Sequence, residues 1–67
     1  MLTSEATVEF KDVQCILGSS MAVLCVIGNK QVWIPRTEIW RGSQIRDRGE
    51  RGKLVIPRRL AMNLELF

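Results

Sequence analysis

The sequence predicts a small α+β domain, mainly β, in which about four strands form a small barrel or an antiparallel meander and one helix follows at the C-terminus. Short apolar runs rich in β-branched residues alternate with glycine-containing turns. The last apolar residues recur instead at helical spacing. The length of 67 residues suits a single domain, 1–67, and 46% hydrophobic with 25% charged residues is typical of a folded protein.

Residues 7–17 are the predicted first strand. Its apolar residues change parity at Lys11–Asp12. Because successive strand residues point to opposite faces, this change predicts a β-bulge or a sharp bend at that point. Beyond the bend, we expect Val13, Cys15 and Leu17 to share one face.

Residues 21–27 and 30–35 predict a hairpin closed by a two-residue Gly-Asn turn. This turn would place Cys25 opposite Val32, and Leu24 opposite Trp33. Both faces of such a hairpin are apolar, whereas an exposed antiparallel hairpin usually has one polar face. We therefore expect cover on both sides, with a closed barrel burying one face and the helix, a second subunit or a ligand covering the other.

The rest of the chain alternates between turns and short elements. Pro35 should end the third strand, since proline cannot donate to a strand ladder. Residues 41–52 predict an exposed basic loop rich in glycine and arginine, and residues 53–56 a short strand. Pro57 suits the first position of a helix, and its apolar stripe is Leu60, Ala61 and Leu64.

Positive charge is concentrated in the middle of the chain. Nine Lys or Arg residues stand against three acidic ones between positions 28 and 59, whereas the whole chain has a net charge of +3. Seven of the nine are arginine, whose planar guanidinium suits phosphate or carboxylate. An ordinary solvated surface explains so small a net charge equally well.

Two sets of residues are candidates for binding. Trp40 opens the basic loop and is expected to be the more exposed tryptophan, available to stack on a base. The predicted nucleic-acid-binding residues are Arg36, Trp40, Arg41, Arg46, Arg48 and Arg51. The second apolar face of the hairpin supplies a predicted partner interface of Leu24, Val26 and Trp33. Trp33 is interpreted there as a core or interface side chain rather than a stacking platform.

Several classes of function lack their usual residues. The chain has no histidine, no paired nucleophile and base, and no phosphate-cradling glycine loop, so we expect no enzyme. Its two cysteines cannot supply the four ligands of a zinc site, so neither a metal nor a cofactor is predicted. With no apolar run long enough for a membrane helix and no signal peptide, we expect no membrane contact and a cytoplasmic location.

Two stretches of the chain resemble known groups of proteins. The stretch VEFKDV…AVLCVIGNKQVWIPRTEI, within residues 8–39, resembles the first three strands of RNA-binding OB-fold domains. The combination AVLCVIG…VWIPRTEI…GKLVIPRRLA is similar to short uncharacterised proteins of phages and prophages. The first resemblance implies nucleic-acid binding. The second implies a phage context, in which small proteins handle nucleic acid or block a host protein.

We therefore predict a non-enzymatic nucleic-acid-binding module of loose sequence preference. The alternative is a phage-encoded interaction module or inhibitor of a host defence protein, acting through the apolar sheet face. A third alternative is a pocket for a small anionic ligand at a dimer seam. We expect a homodimer, since a core of this size is marginal and both hairpin faces are apolar.

Overall fold

Four antiparallel strands in the order β3-β2-β1-β4 form one sheet, followed by a short helix. The structure is a computed structural model that describes residues 6–67. Its elements are β1 (Thr7–Gly18), β2 (Ala22–Ile27), β3 (Lys30–Pro35), a 3₁₀ turn (Arg36–Glu38), β4 (Arg51–Pro57) and α1 (Arg58–Asn63). The predicted class, mainly β with one C-terminal helix, is confirmed.

The β2–β3 hairpin has the register that its turn predicts. Cys25 pairs with Val32, and Leu24 pairs with Trp33. Gly28 has a φ of 62°, which a glycine adopts without a steric penalty. The two-residue turn was therefore sufficient to set which side chains face each other across the two strands.

β1 carries two irregularities, one predicted and one not. The register with β4 shifts between Phe10 and Val13, and Asp12 has a φ of 57°, which confirms the bulge expected there. The register with β2 shifts again between Cys15 and Leu17, which leaves Ile16 as an extra residue. Because of this second bulge, the prediction that Leu17 shares a face with Val13 and Cys15 is wrong.

The core lies on one face of the sheet, here called the inner face. It is built from buried side chains of all four strands, the β3–β4 connection and α1: Val13, Cys15, Val23, Cys25, Ile27, Ile34, Ile39, Ile45, Leu54, Ile56 and Ala61. Leu60 and Leu64 pack against this cluster, so the predicted helical stripe is confirmed. The helix and the connection together cover the inner face.

The β3–β4 connection is part of the core and not only an exposed loop. Ile45, its one central apolar residue, has no exposed surface. The backbone of the connection is hydrogen-bonded along the free edge of β4, with Trp40 N donating to Val55 O at 2.9 Å and Gln44 N donating to Lys53 O at 2.7 Å. The predicted loop 41–52 is also shorter than expected, since β4 begins at Arg51.

The sheet is open, so the barrel closure suggested by the sequence stays a prediction. β1 and β2 have neighbours on both sides, whereas β3 and β4 are the outer strands. Between residues 6 and 67, no helix is long and apolar enough to cross a membrane.

Candidate binding surface

A row of large apolar side chains crosses the outer face of the sheet, the face turned away from the core. Leu17 pairs with Leu24, and Leu24 pairs with Trp33. Directly paired residues share one face of a sheet and lie about 5 Å apart at Cβ. Leu17 is 47% exposed and Trp33 is 48% exposed, while Leu24 between them is half-buried. We call these three residues the tryptophan row.

The neighbouring row on the same face is more polar and ends in an arginine. Gln31 pairs with Val26, Val26 with Gln14, and Gln14 with Arg51. The side chain of Arg51 is exposed and makes no hydrogen bond or ion pair with any residue from 6 to 67. An unpaired guanidinium therefore lies on the face that carries Trp33, roughly three strand spacings of about 4.8 Å from β3.

Arg36 joins the end of β3 to the β3–β4 connection. Its Nε donates to Ser19 O at 2.8 Å, and its Nη1 donates to Arg46 O at 2.6 Å. Its Nη2 donates to Asp47 Oδ1 at 3.3 Å. Gly18 leaves room for this arrangement, since a Cβ there would lie 2.8 Å from Asp47 Oδ1. Arg36 thus has a structural role, and its contact with nucleic acid stays a prediction.

Two acidic residues of the connection, Asp47 and Glu50, bind its own backbone. Glu50 Oε1 accepts hydrogen bonds from the N–H groups of Arg46 and Asp47, at 2.7 and 2.6 Å. Asp47 Oδ1 accepts one from the Arg48 N–H at 2.8 Å. This hydrogen bond, together with Arg36, lowers the pKa of the Asp47 carboxyl. Both carboxylates are therefore used to shape the connection.

The predicted arginines lie in the β3–β4 connection and at the start of β4. Arg48 lies beside the end of β1, where its N would be 3.9 Å from a Cβ on Gly18. Arg41 lies in the segment that covers the β4 edge. Arg46 donates weakly to Ile39 O at 3.4 Å. The exposed side chains of Arg41 and Arg48 have no partner within residues 6–67.

Trp40 lies away from the tryptophan row and is the less exposed tryptophan. Its exposed fraction is 37%, against 48% for Trp33, and its N–H bonds to Val55 at the β4 edge. Trp33 is on β3, at the opposite end of the strand order. The expectation that Trp40 is the more exposed aromatic is wrong, because the outer face of the hairpin is uncovered within the described chain. Trp33 is therefore not a core side chain, and its place in a partner interface stays a prediction.

Leu17 is the member of this surface that the sequence did not identify. Its spacing from Cys15 predicts the inner face, yet it pairs with Leu24 on the outer one. The bulge at Ile16 causes the change, since one extra residue reverses the parity of all that follow. No glycine or turn residue marks that position in the sequence.

Two thiols lie directly behind the tryptophan row. Cys15 and Cys25 are cross-strand partners, both unoxidised and both without exposed surface. Cys15 Sγ donates to Leu17 O at 3.3 Å. Burial raises the pKa of both thiols, that of Cys25 to about 12, so neither is a ready nucleophile or metal ligand.

An open cleft of about 460 Å³ lies between the β2–β3 turn and the C-terminal segment. Phe10, Phe67, Lys11 and Lys30 line it. Lys30 Nζ donates one hydrogen bond to Glu65 O at 2.7 Å. The predicted pocket for a small anion at a dimer seam stays a prediction.

No group of three or more cysteine or acidic residues within the described part of the chain is placed to hold an ion. Comparisons with models of protein families, with curated proteins and with solved structures found no match. The outer face, with one half-exposed tryptophan, two leucines and an unpaired arginine, is the surface best suited to binding.

Proposed function

We propose that this protein is a non-catalytic module that binds single-stranded nucleic acid on the outer face of its sheet. One observation carries the proposal: the half-exposed Trp33 shares that face with Arg51, whose guanidinium is unpaired within residues 6–67. Proteins that bind single strands combine aromatic side chains, on which bases stack, with cations that follow the phosphates. A sheet face with both groups supports this function.

The two kinds of side chain have different parts in the proposal. The indole of Trp33 stacks on one base, a contact worth roughly 1–3 kcal/mol. Leu24 and Leu17 offer an apolar floor beside it, and Arg51 and Arg48 contact phosphates. Because stacking and phosphate contacts depend little on the identity of the base, we expect loose sequence preference. Trp33 here replaces Trp40 as the stacking residue.

The test uses labelled single-stranded DNA and RNA, followed by fluorescence anisotropy at about 50 and 200 mM salt, where phosphate contacts differ greatly in strength. We expect binding that weakens at the higher salt. Trp33→Ala should weaken binding by about tenfold at both salts. Trp40→Ala is the matched control, since it removes a tryptophan from the far edge of the sheet, and it should bind as the wild type does.

The arginine contribution is separable by the same assay. Arg51→Ala should reduce the slope of log affinity against log salt by about 0.7 for a single strand, the loss of one phosphate contact. An absence of binding at both salts would overturn the proposal. Equal losses in the Trp33 and Trp40 variants would overturn the assignment to the outer face.

A second candidate function is favoured by the aliphatic character of the row. Leu17 and Leu24 offer no π-face to a base, whereas leucines around a tryptophan with an arginine beside it are suited to a protein partner. In the phage context implied by the resemblance, that partner would be a host protein. Leu24→Lys discriminates the two functions. It adds a cation for phosphates, so it should not weaken the binding of nucleic acid. It places a charge at the centre of an apolar interface, so it should weaken the binding of a protein partner.

A cytoplasmic location is part of this proposal. Cys15 and Cys25 are buried cross-strand neighbours, and a reducing compartment would keep such thiols free. Closure of the sheet into a barrel is not needed for the proposed function, since the outer face presents its side chains on an open sheet.

A further inference from the structure

Only one of the two outer edges of the sheet is covered by another segment within residues 6–67. The edge of β4 is covered by residues 40–44, whose backbone and side chains bond to Lys53 and Val55. Among residues 6–67, no strand pairs with the outer edge of β3, and no backbone hydrogen bond from a loop is made to Gln31 or Trp33. An uncovered edge presents unpaired N–H and C=O groups and is a template for another strand.

The groups on that edge follow from the hairpin register. Arg36 N donates to Met21 O at 2.9 Å, which continues the β2–β3 ladder by one step. Inward and outward bonding alternate along a strand, so the other even positions of β3 also bond to β2. The N–H and C=O groups of Gln31 and Trp33 therefore point away from the sheet, together with the C=O of Pro35.

We propose that two copies of this protein pair through β3, antiparallel and with Val32 on the two-fold axis. In this register Gln31 of the first copy lies opposite Trp33 of the second. Trp33 of the first copy lies opposite Gln31 of the second in the same way. Each such pair exchanges two backbone hydrogen bonds, so all four outward groups of both residues are satisfied. Pro35, which has no N–H to donate, falls opposite the turn residue Asn29, where the partner strand has ended.

Charge and donor pattern select this register over the next possible one. A shift of two residues would place Lys30 opposite Arg36 of the other copy, two like charges across the ladder. It would also leave the Gln31 C=O facing Pro35 without a donor. The chosen register instead places Lys30 opposite Ile34 and brings together the two half-buried Val32 side chains on the inner face.

The proposed dimer keeps the binding face open and extends it. Paired positions share a face, so Trp33 of each copy lies on the same outer surface of one eight-stranded sheet. A six-residue strand paired along its edge buries less than the roughly 1,200 Å² of a standard interface. We therefore expect a weak dimer that forms only at high protein concentration.

The experiment is sedimentation velocity on the free protein at concentrations from about 10 µM to 1 mM, the range in which a small interface associates. The wild type and Gln31→Ala should dimerise alike, since alanine keeps the outward N–H. Gln31→Pro should weaken the dimer by roughly thirtyfold, because it removes two of the four hydrogen bonds, each worth about 1 kcal/mol. Its β2 ladder is untouched, since residue 31 makes no bond to β2.

Hydrogen exchange on the wild type keeps the test decisive even if the proline variant does not fold. Amides of Gln31 and Trp33 should become protected as the concentration rises, while that of Arg41 should not. A wild type that stays monomeric at the highest concentration would overturn the proposal. So would a dimer in which these two amides exchange as fast as in the monomer. Both experiments are done without nucleic acid, so their result does not depend on the proposed function.

Discussion

Arg36 and Asp47 form an ion pair of 3.3 Å that joins the end of β3 to the middle of the β3–β4 connection. The same guanidinium also bonds to the carbonyl groups of Ser19 and Arg46. Three separate segments therefore meet on one side chain. This contact and the buried Ile45 together hold the β3–β4 connection in place, although its composition is typical of a loop.

Removal of the Arg36 side chain should destabilise the protein. Arg36→Ala loses three hydrogen bonds that are partly exposed to water, and we expect a decrease of about 1 kcal/mol in the free energy of unfolding. Arg48→Ala is the matched control, since Arg48 has no side-chain partner within residues 6–67, and it should change that free energy by less than about 0.5 kcal/mol. Urea unfolding followed by tryptophan fluorescence measures both. Equal effects would contradict the structural role of Arg36.

The Asp47 carboxyl should make the protein less stable in acid. Its pKa is lowered by the Arg48 N–H and by Arg36, so the folded state favours the charged form. The resulting stability is present above about pH 4, the ordinary value for aspartate, and is lost as the pH falls through the lower pKa of the folded state. Carbon-detected NMR titration should show Asp47 titrating below the ordinary range of an aspartate. Asp47→Asn should reduce the loss of stability between about pH 4 and pH 2.

Ile45→Ala should be far more damaging than its place in a glycine-rich segment suggests. The side chain is fully buried in the core, so its truncation should lower the free energy of unfolding by about 2–5 kcal/mol. Leu17→Ala removes an equally large side chain that is 47% exposed, and should cost less than about 1 kcal/mol. Chemical denaturation compares the two. A small effect at Ile45 would show that the connection does not pack as described.

Cys25 should be unreactive in the folded protein. Burial raises the pKa of its thiol to about 12, so almost no thiolate is present at pH 8. We expect a disulfide reagent to modify Cys25 only after denaturation. The free energy of unfolding should also fall as the pH rises above about 9, because the thiol ionises only in the unfolded chain there. Cys25→Ala should show a weaker decrease between about pH 8 and pH 10. Rapid modification of the native protein would contradict this prediction.

Much of the fold was predictable from local patterns. The Gly-Asn turn placed Leu24 opposite Trp33, and the parity change at Lys11–Asp12 located the first bulge. The helix after Pro57 followed from its apolar spacing. Each of these features depends on residues that are close in the chain, so the sequence near each position carries the information.

The candidate site was predicted less well, because exposure is a property of the whole molecule. Trp33 has two apolar neighbours in the sequence, whereas Trp40 precedes Arg41, and this local pattern predicts the opposite of the exposures found. Only the way the β3–β4 connection and α1 cover one face of the sheet leaves Trp33 the more exposed. The basic loop likewise looked like one patch. The burial of Ile45 in that segment could not be predicted from its glycine-rich and arginine-rich composition.

Local sequence was enough to set the strands, the hairpin register, the first bulge and the position of the helix, since turns, proline and side-chain period act over a few residues. Packing between distant segments set which apolar face became the core, where Leu17 points and which cations stay unpaired. These outcomes depend on competition between those segments for one buried surface. The side that α1 and Ile45 cover becomes the core, and the side that they leave open becomes the candidate binding surface.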